Sequence, residues 1–201
     1  MRKVVVSVLT SVDGFYEGPR KDLSQMPFED AFNSHNLELL RKAGTLLYGS
    51  TWFAENWRFW SAVAADDAQS DRDHEIAEAV LTRDAVVISD TMVILPGDPW
   101  SATTRVVPRS AAEDEVRALA SGDGGDILMF GSATTWNPLL AAGLVDEVIV
   151  LVGAALMGEG SKLYSGPRVG LSLLSARTLP DSQLVELRYA AGAEGSAGVA
   201  P

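Results

Sequence analysis

The residues best suited to chemistry in this chain are small and polar, and they stand where apolar runs stop. Gly49-Ser50-Thr51 follows the run Thr45–Tyr48, Ser89-Asp90-Thr91 follows Ala85–Ile88, and Gly131-Ser132-Ala133 follows Ile127–Phe130. Small residues at the C-terminal end of a strand let a ligand approach the main chain, and the N–H groups of a following helix favour an anion there. A cofactor diphosphate suits such a place; a tight turn that binds nothing has the same composition. In open α/β sheets ligands sit beyond the carboxyl ends of strands, so three such turns suffice to line one cleft for an extended cofactor.

Other chemistries are excluded or unsupported. The chain has no cysteine, which removes disulfides, thiolate metal sites and thiol nucleophiles and fits a reducing cytoplasm. Neither histidine has a second histidine or a carboxylate at ligand spacing: His35 lies among polar residues and His74 in a charged segment, and both read as solvated. G-x-G-x-x-G, the P-loop and G-x-S-x-G are all missing. With a net charge of −11 and no basic cluster, nucleic acid and anionic membranes are not expected partners. Val4–Leu9 is too short for a signal peptide, and no run approaches the roughly 20 apolar residues that span a bilayer.

The elements that must position these turns follow from periodicity. Val4–Leu9 reads as a strand buried on both faces, followed by the turn signal Asp13-Gly14, in which Asp13 bonds its own loop or serves the site. A polar loop covers 15–28 and a helix spans about 29–43, ended by Gly44. Three of the five tryptophans fall in Trp52–Trp60, together with Phe53 and Phe59. Such a cluster is either a helix packed on a sheet or a wall for a flat ring, with Trp52 and Trp57 the candidate ring contacts. A helix covers 75–81, a short strand 105–107, and Ser110 with Glu113 forms a capping box opening a helix over 111–120. Ile127–Phe130, the helix Ala133–Ala142 stopped by Gly143, and the strand Val145–Val152 make a βαβ crossover. Leu171–Leu174 and Leu184–Tyr189 form a final antiparallel pair. The domain is expected over 1–189, with 190–201 a disordered low-complexity tail.

Four segments, in order, resemble the dihydrofolate reductase superfamily, and within it the branch related to the reductase domain of bacterial riboflavin biosynthesis. They are VSVLTSVDGFYEG at 6–18, LLYGSTWF at 46–53, VVISDTM at 86–92, and Ile127–Tyr164, where GLVDEV and LMGEGSKLY are the most specific. The resemblance spans Arg2–Tyr189. It implies an α/β fold: one domain with a mixed, mostly parallel sheet of about eight strands flanked by helices. It further implies NADPH or NADH across the three turns and hydride transfer to a small planar or carbonyl-type substrate. Gly131-Ser132 would underlie the diphosphate, with Ala133, Thr134 and Thr135 at the helix start. Gly49, Ser50 and Thr51 would face the adenine-side phosphate, Ser89, Asp90 and Thr91 the adenosine ribose, and Leu9 and the 10–18 loop the nicotinamide. Asp13, Asn33, Trp52 and Trp57 are the candidate substrate contacts, and a homodimer is implied. The alternative is a redox-inactive relative holding a flat ligand such as FMN; a structural protein with a vestigial cleft is a third reading.

Two departures bear on the cofactor. Where the family reads Gly-Arg-x-Thr this chain has Gly49-Ser50-Thr51-Trp52, and where it reads Ser-Arg-Thr the chain has Ser89-Asp90-Thr91. Each lost charge-assisted bond is worth about 1.5–3 kcal/mol, so preference for NADPH over NADH should be weak or reversed. Arg58, Arg83 and Arg105 are the candidates for neutralising Asp90.

Overall fold

The computed structural model describes residues 1–192. Its first strand, β1 (Val4–Ser11), is buried at every position. That follows from its place: it lies mid-sheet with helices on both faces, where an unbroken apolar run is stable and an alternating one is not. The remaining elements are β2 (Phe15–Glu17), α1 (Asp30–Leu40), β3 (Ala43–Gly49), α2 (Ser50–Ala64), α3 (Asp71–Thr82), β4 (Asp84–Ile88) and β5 (Thr104–Val107). They continue as α4 (Ala112–Ser121), β6 (Asp126–Met129), α5 (Ala133–Ala141), β7 (Glu147–Gly153), β8 (Ser161–Lys162), β9 (Leu171–Thr178) and β10 (Val185–Ala191).

Eight strands form one sheet in the order β5-β4-β3-β6-β1-β7-β10-β9. The first six run parallel, and β10 and β9 close the far edge antiparallel. The expected βαβ unit is β6-α5-β7, which steps across β1. On one face Val6, Val86 and Ile127 of the sheet pack against Val116 of α4 and Trp136 and Leu139 of α5. On the other, Leu46, Val87, Leu128 and Ile149 of the sheet pack against Leu40 of α1, Trp60 of α2 and Ile76 of α3. A small cluster of Leu9, Met26, Leu151, Leu179 and Leu184 fills the space near β10.

The fold class and element order match the sequence expectations, and the differences are local. The 15–28 loop contains β2, which pairs with the distant β8. The helix expected over 29–43 stops at Leu40 because Ala43 is drawn into β3 beside β4 and β6. Ser110 does not cap: Arg109–Ala111 is a 3-10 turn and α4 starts at Ala112 without a side-chain cap. Strand β10 runs two residues past the expected boundary at 189, with Ala190 and Ala191 opposite Ser172 and Leu171. The rest of the expected tail, from 193 onward, lies outside the described residues. No helix among the described residues is long and apolar enough to cross a membrane.

Candidate functional site

Strands β4, β3 and β6 are neighbours and run parallel, so their three C-terminal turns stand side by side at one edge. Gly49 and Ser132 are not merely turn residues: they directly precede α2 and α5, and neither helix start receives a side-chain cap. Of the five α-helices in the described residues, α2 and α5 alone lack an acid in the first turn; α1, α3 and α4 carry Asp30, Asp71 with Asp73, and Glu113 to Glu115. The two uncapped ends meet. A Cβ placed on Gly49 would lie 2.6 Å from Thr135 Oγ1 and 3.6 Å from Ser132 Oγ. Ser132 Oγ is in turn 2.9 Å from Thr134 Oγ1 and 3.4 Å from Thr135 Oγ1. Each helix start carries about half a positive charge, so their approach repels unless an anion sits between them. Gly131, at φ +67°, has open space where a side chain would project.

Beside this pocket the sheet parts. β6 pairs with β1 only as far as Met129 opposite Val6, so from Ser7 to Ser11 β1 has β7 as its one neighbouring strand in the sheet. Ser7 is 3% exposed, and its hydroxyl finds no partner. The loop beyond is pinned. Asp13 accepts bonds from the Ser11 hydroxyl (2.6 Å) and from the N–H groups of Met157 (3.1 Å) and Gly158 (2.7 Å). Led by the Ser11 hydroxyl, these bonds hold its carboxyl down at about 2. Lys162 donates to the Asp13 carbonyl (2.9 Å) and lies 3.6 Å above the Phe15 ring. Asp13 is thus a brace between two loops. Tyr16, on β2, has its phenol pushed up to about 12, by burial first and Glu17 next, and it packs against the core cluster that includes Ala133 and Trp136. No pattern in the sequence singled out Ser7 or Tyr16, because their interest comes from what α5 and β6 leave open around them.

The other candidate residues are placed as follows. The Leu9 side chain is core, which leaves only its main chain near the parted strands. Asn33 donates to Asp73 (3.2 Å), which turns it toward α3. Phe53 and Trp60 are buried on the sheet, the plain packing role. Trp57 meets Trp100 edge-on at 5.2 Å, and Phe53 meets the same ring at 5.5 Å, so these faces contact one another and form no parallel wall. The indole N–H groups of Trp52, Trp57 and Trp100 are buried without a partner. Ser89 is buried and its Oγ accepts from the N–H groups of Thr91 (3.2 Å) and Met92 (3.1 Å), which presents Asp90 outward.

Two charged groups depart from expectation. Asp90 is met by none of the three candidate arginines. Arg83 reaches the Ala43 carbonyl and Arg105 pairs with Glu115, whereas Arg109 donates its N–H to Asp90 Oδ1 (2.9 Å) and brings Nε within 3.6 Å of Oδ2. His35 is not solvated: it is 3% exposed and its Nε2 lies 2.6 Å from Glu186 Oε2. Arg177 also bonds Glu186, at 3.1 and 3.2 Å. The carboxylate that partners His35 lies 151 residues away, beyond any local spacing rule. A groove of about 450 Å³ adjoins this cluster, lined by Ser34, Glu38, Arg177 and Asp181 among others. It lies between α1 and the turn joining β9 to β10, away from β4, β3 and β6 in the strand order, and within it Arg177 pairs with Glu38. Among the described residues no group of three or more metal-ligating side chains is assembled.

A mostly parallel eight-stranded sheet, with paired helix starts beside a parting of central strands, defines a dihydrofolate reductase-like domain. The chain belongs to the family of RibD C-terminal domains, whose pattern it matches over residues 2–185. It is 22% identical over 190 residues to the uncharacterized protein YyaP of Bacillus subtilis, covering 94% of each chain. It superimposes on a putative riboflavin biosynthesis protein from Shewanella with a TM-score of 0.64 at 17% identity, covering 94% of this chain and 98% of that one. It is also similar to dihydrofolate reductase from Enterococcus faecalis, solved as a complex with NADP(H), with a TM-score of 0.57 at 12% identity over 94% and 96% of the two chains.

Proposed function

We propose that this protein is a nicotinamide-dependent reductase that transfers a hydride to a small planar or carbonyl-type substrate. The observation that carries this reading is the meeting of two uncapped, acid-free helix starts at adjacent strand ends, next to the parted strands. In a chain of net charge −11, such a pocket is a local exception built for an anion. Bound there, NADPH or NADH would supply the hydride.

The chain's own residues then have defined tasks. Main-chain N–H groups of α2 and α5, with the hydroxyls of Ser132, Thr134 and Thr135, hold the diphosphate. The opening over Gly131 lets phosphate oxygens approach the main chain. Ser89 and Asp90 sit one strand further along, at the ribose. In the other direction the unpaired edge of β1 and the braced 10–18 loop give the reacting rings a place shielded from water, with Ser7 offering an unused hydroxyl. Tyr16, packed against the cluster that includes Ala133, stays protonated through the neutral range and so can hold a proton.

Titrating tryptophan fluorescence with NADPH, NADH and FMN tests this. Saturable binding of at least one nicotinamide cofactor in the usual micromolar to ~1 mM range is expected. Saturation by FMN alone would instead support a redox-inactive flavin binder, and no saturation by either nicotinamide overturns the reading.

A further inference from the structure

We propose that Asp90 and Arg109 act as one exchangeable pair that reads the 2′ position of the cofactor's adenosine ribose, and that Arg109 makes the chain accept a 2′-phosphate about as readily as a 2′-hydroxyl. This rests on the nicotinamide reading above.

The placement follows from the strand order. The anion pocket straddles β3 and β6, and strands lie about 4.8 Å apart. β4 is therefore one strand away from the pocket on the side opposite β1, which is roughly the step from a diphosphate to its ribose. The two directions differ. Toward β1 the edge is closed by the braced loop; toward β4 and β5 it is open, and Asp90 and Arg109 have side chains 55% and 52% exposed. An extended ligand anchored midway has its adenosine end here.

The pair is built to exchange partners. Ser89 fixes the turn that carries Asp90, and Pro108 precedes Arg109, whose main-chain N–H is held by the Asp90 carboxylate. The backbones are thus fixed while the guanidinium stays at the surface, with Asp90 its only charged partner among the described residues. An exposed ion pair of this kind opens at little cost. A 2′-phosphate can therefore draw the guanidinium off Asp90 and take it in a two-pronged, charge-assisted bond. A 2′-hydroxyl instead donates to Asp90 while Arg109 stays where it is. Asp90 alone would repel the phosphate; with Arg109 attached it does not. The expectation from sequence of a weakened NADPH preference thus survives, and a reversed one does not.

The test is a set of dissociation constants for NADPH and NADH, with adenosine 2′,5′-bisphosphate and 5′-AMP as redox-silent probes. Wild type should bind the two cofactors within about tenfold of each other. Arg109→Ala removes a charge-assisted bond and should weaken NADPH and the bisphosphate about tenfold or more, with NADH and 5′-AMP changed by less than about threefold. Asp90→Asn keeps an acceptor for the Arg109 N–H and should tighten NADPH while weakening NADH. Equal effects of Arg109→Ala on both cofactors, or no effect, overturn the proposal while the nicotinamide reading stands. Should neither cofactor nor either probe bind, both fall together. Unchanged melting temperatures of the two variants separate recognition from folding.

Discussion

His35 shows how one side chain can tie stability to pH. Burial pushes its pKa down and outweighs the pull of Glu186, so the imidazole is neutral and donates from Nε2 to the carboxylate. Burial likewise pushes the Glu186 carboxyl up, but bonds from Arg177 and His35 outweigh that and hold it below the ordinary range. Arg188 and Glu38 complete the surrounding charges. A histidine depressed in the folded state binds fewer protons there than in the unfolded chain. Its contribution is therefore full above the unfolded pKa near 6.5 and is lost as pH falls below it. Melting temperature should drop between pH 6.5 and 5, and His35→Gln should flatten that drop; an unchanged slope in the variant would refute the assignment. Gly49 makes a steric prediction. Its backbone, at φ −91°, tolerates any residue, but an alanine Cβ would collide with buried Thr135. Gly49→Ala should cost about 1–3 kcal/mol of stability and weaken nucleotide binding by forcing the two helix starts apart. Circular dichroism melts and the fluorescence titration together check this.

At the scale of elements, the bare starts of α2 and α5 separate stability from function. Natural helices place acids in the first turn, as α1, α3 and α4 do here, because an acid there is worth about 0.3–1 kcal/mol. Thr51 is exposed in the first turn of α2. Thr51→Asp should raise the melting temperature slightly while weakening NADPH and NADH alike, since the new carboxylate occupies the field meant for the diphosphate. A variant that melts higher and binds nucleotide unchanged would show that the uncapped ends serve no anion.

For the whole molecule, the sheet's far edge is the unfinished part. β9 is an eight-residue edge strand with Leu171, Leu173 and Leu174 at 41%, 59% and 53% exposure. Leu173 and Leu171 stand opposite Tyr189 and Ala191, and so continue an apolar face beyond the last strand that could cover it. Long apolar edges invite pairing, and we propose a homodimer closed over this edge, with the domain ending at β10. Light scattering at tens of micromolar should return a dimer, and Leu173→Lys should shift it toward monomer with the fold intact. A monomeric wild type would end the proposal.

Much of this architecture is present in the sequence because local composition determines it. The unbroken run of β1, the small residues after β3, β4 and β6, and the order of strands and helices all follow from residue-level preferences for burial and backbone angle. What composition cannot contain is partnership across the sheet. His35 meets a carboxylate 151 residues away, and Asp90 meets Arg109 at a separation of 19 rather than Arg58, Arg83 or Arg105. The opening beside β1 exists because β6 ends opposite Val6, and the anion pocket exists because β3 and β6 are neighbours in space though distant in the chain. Strand order and strand length are set by the packing of the whole core, so tertiary structure alone decides which of the sequence's polar residues become a site and which become braces.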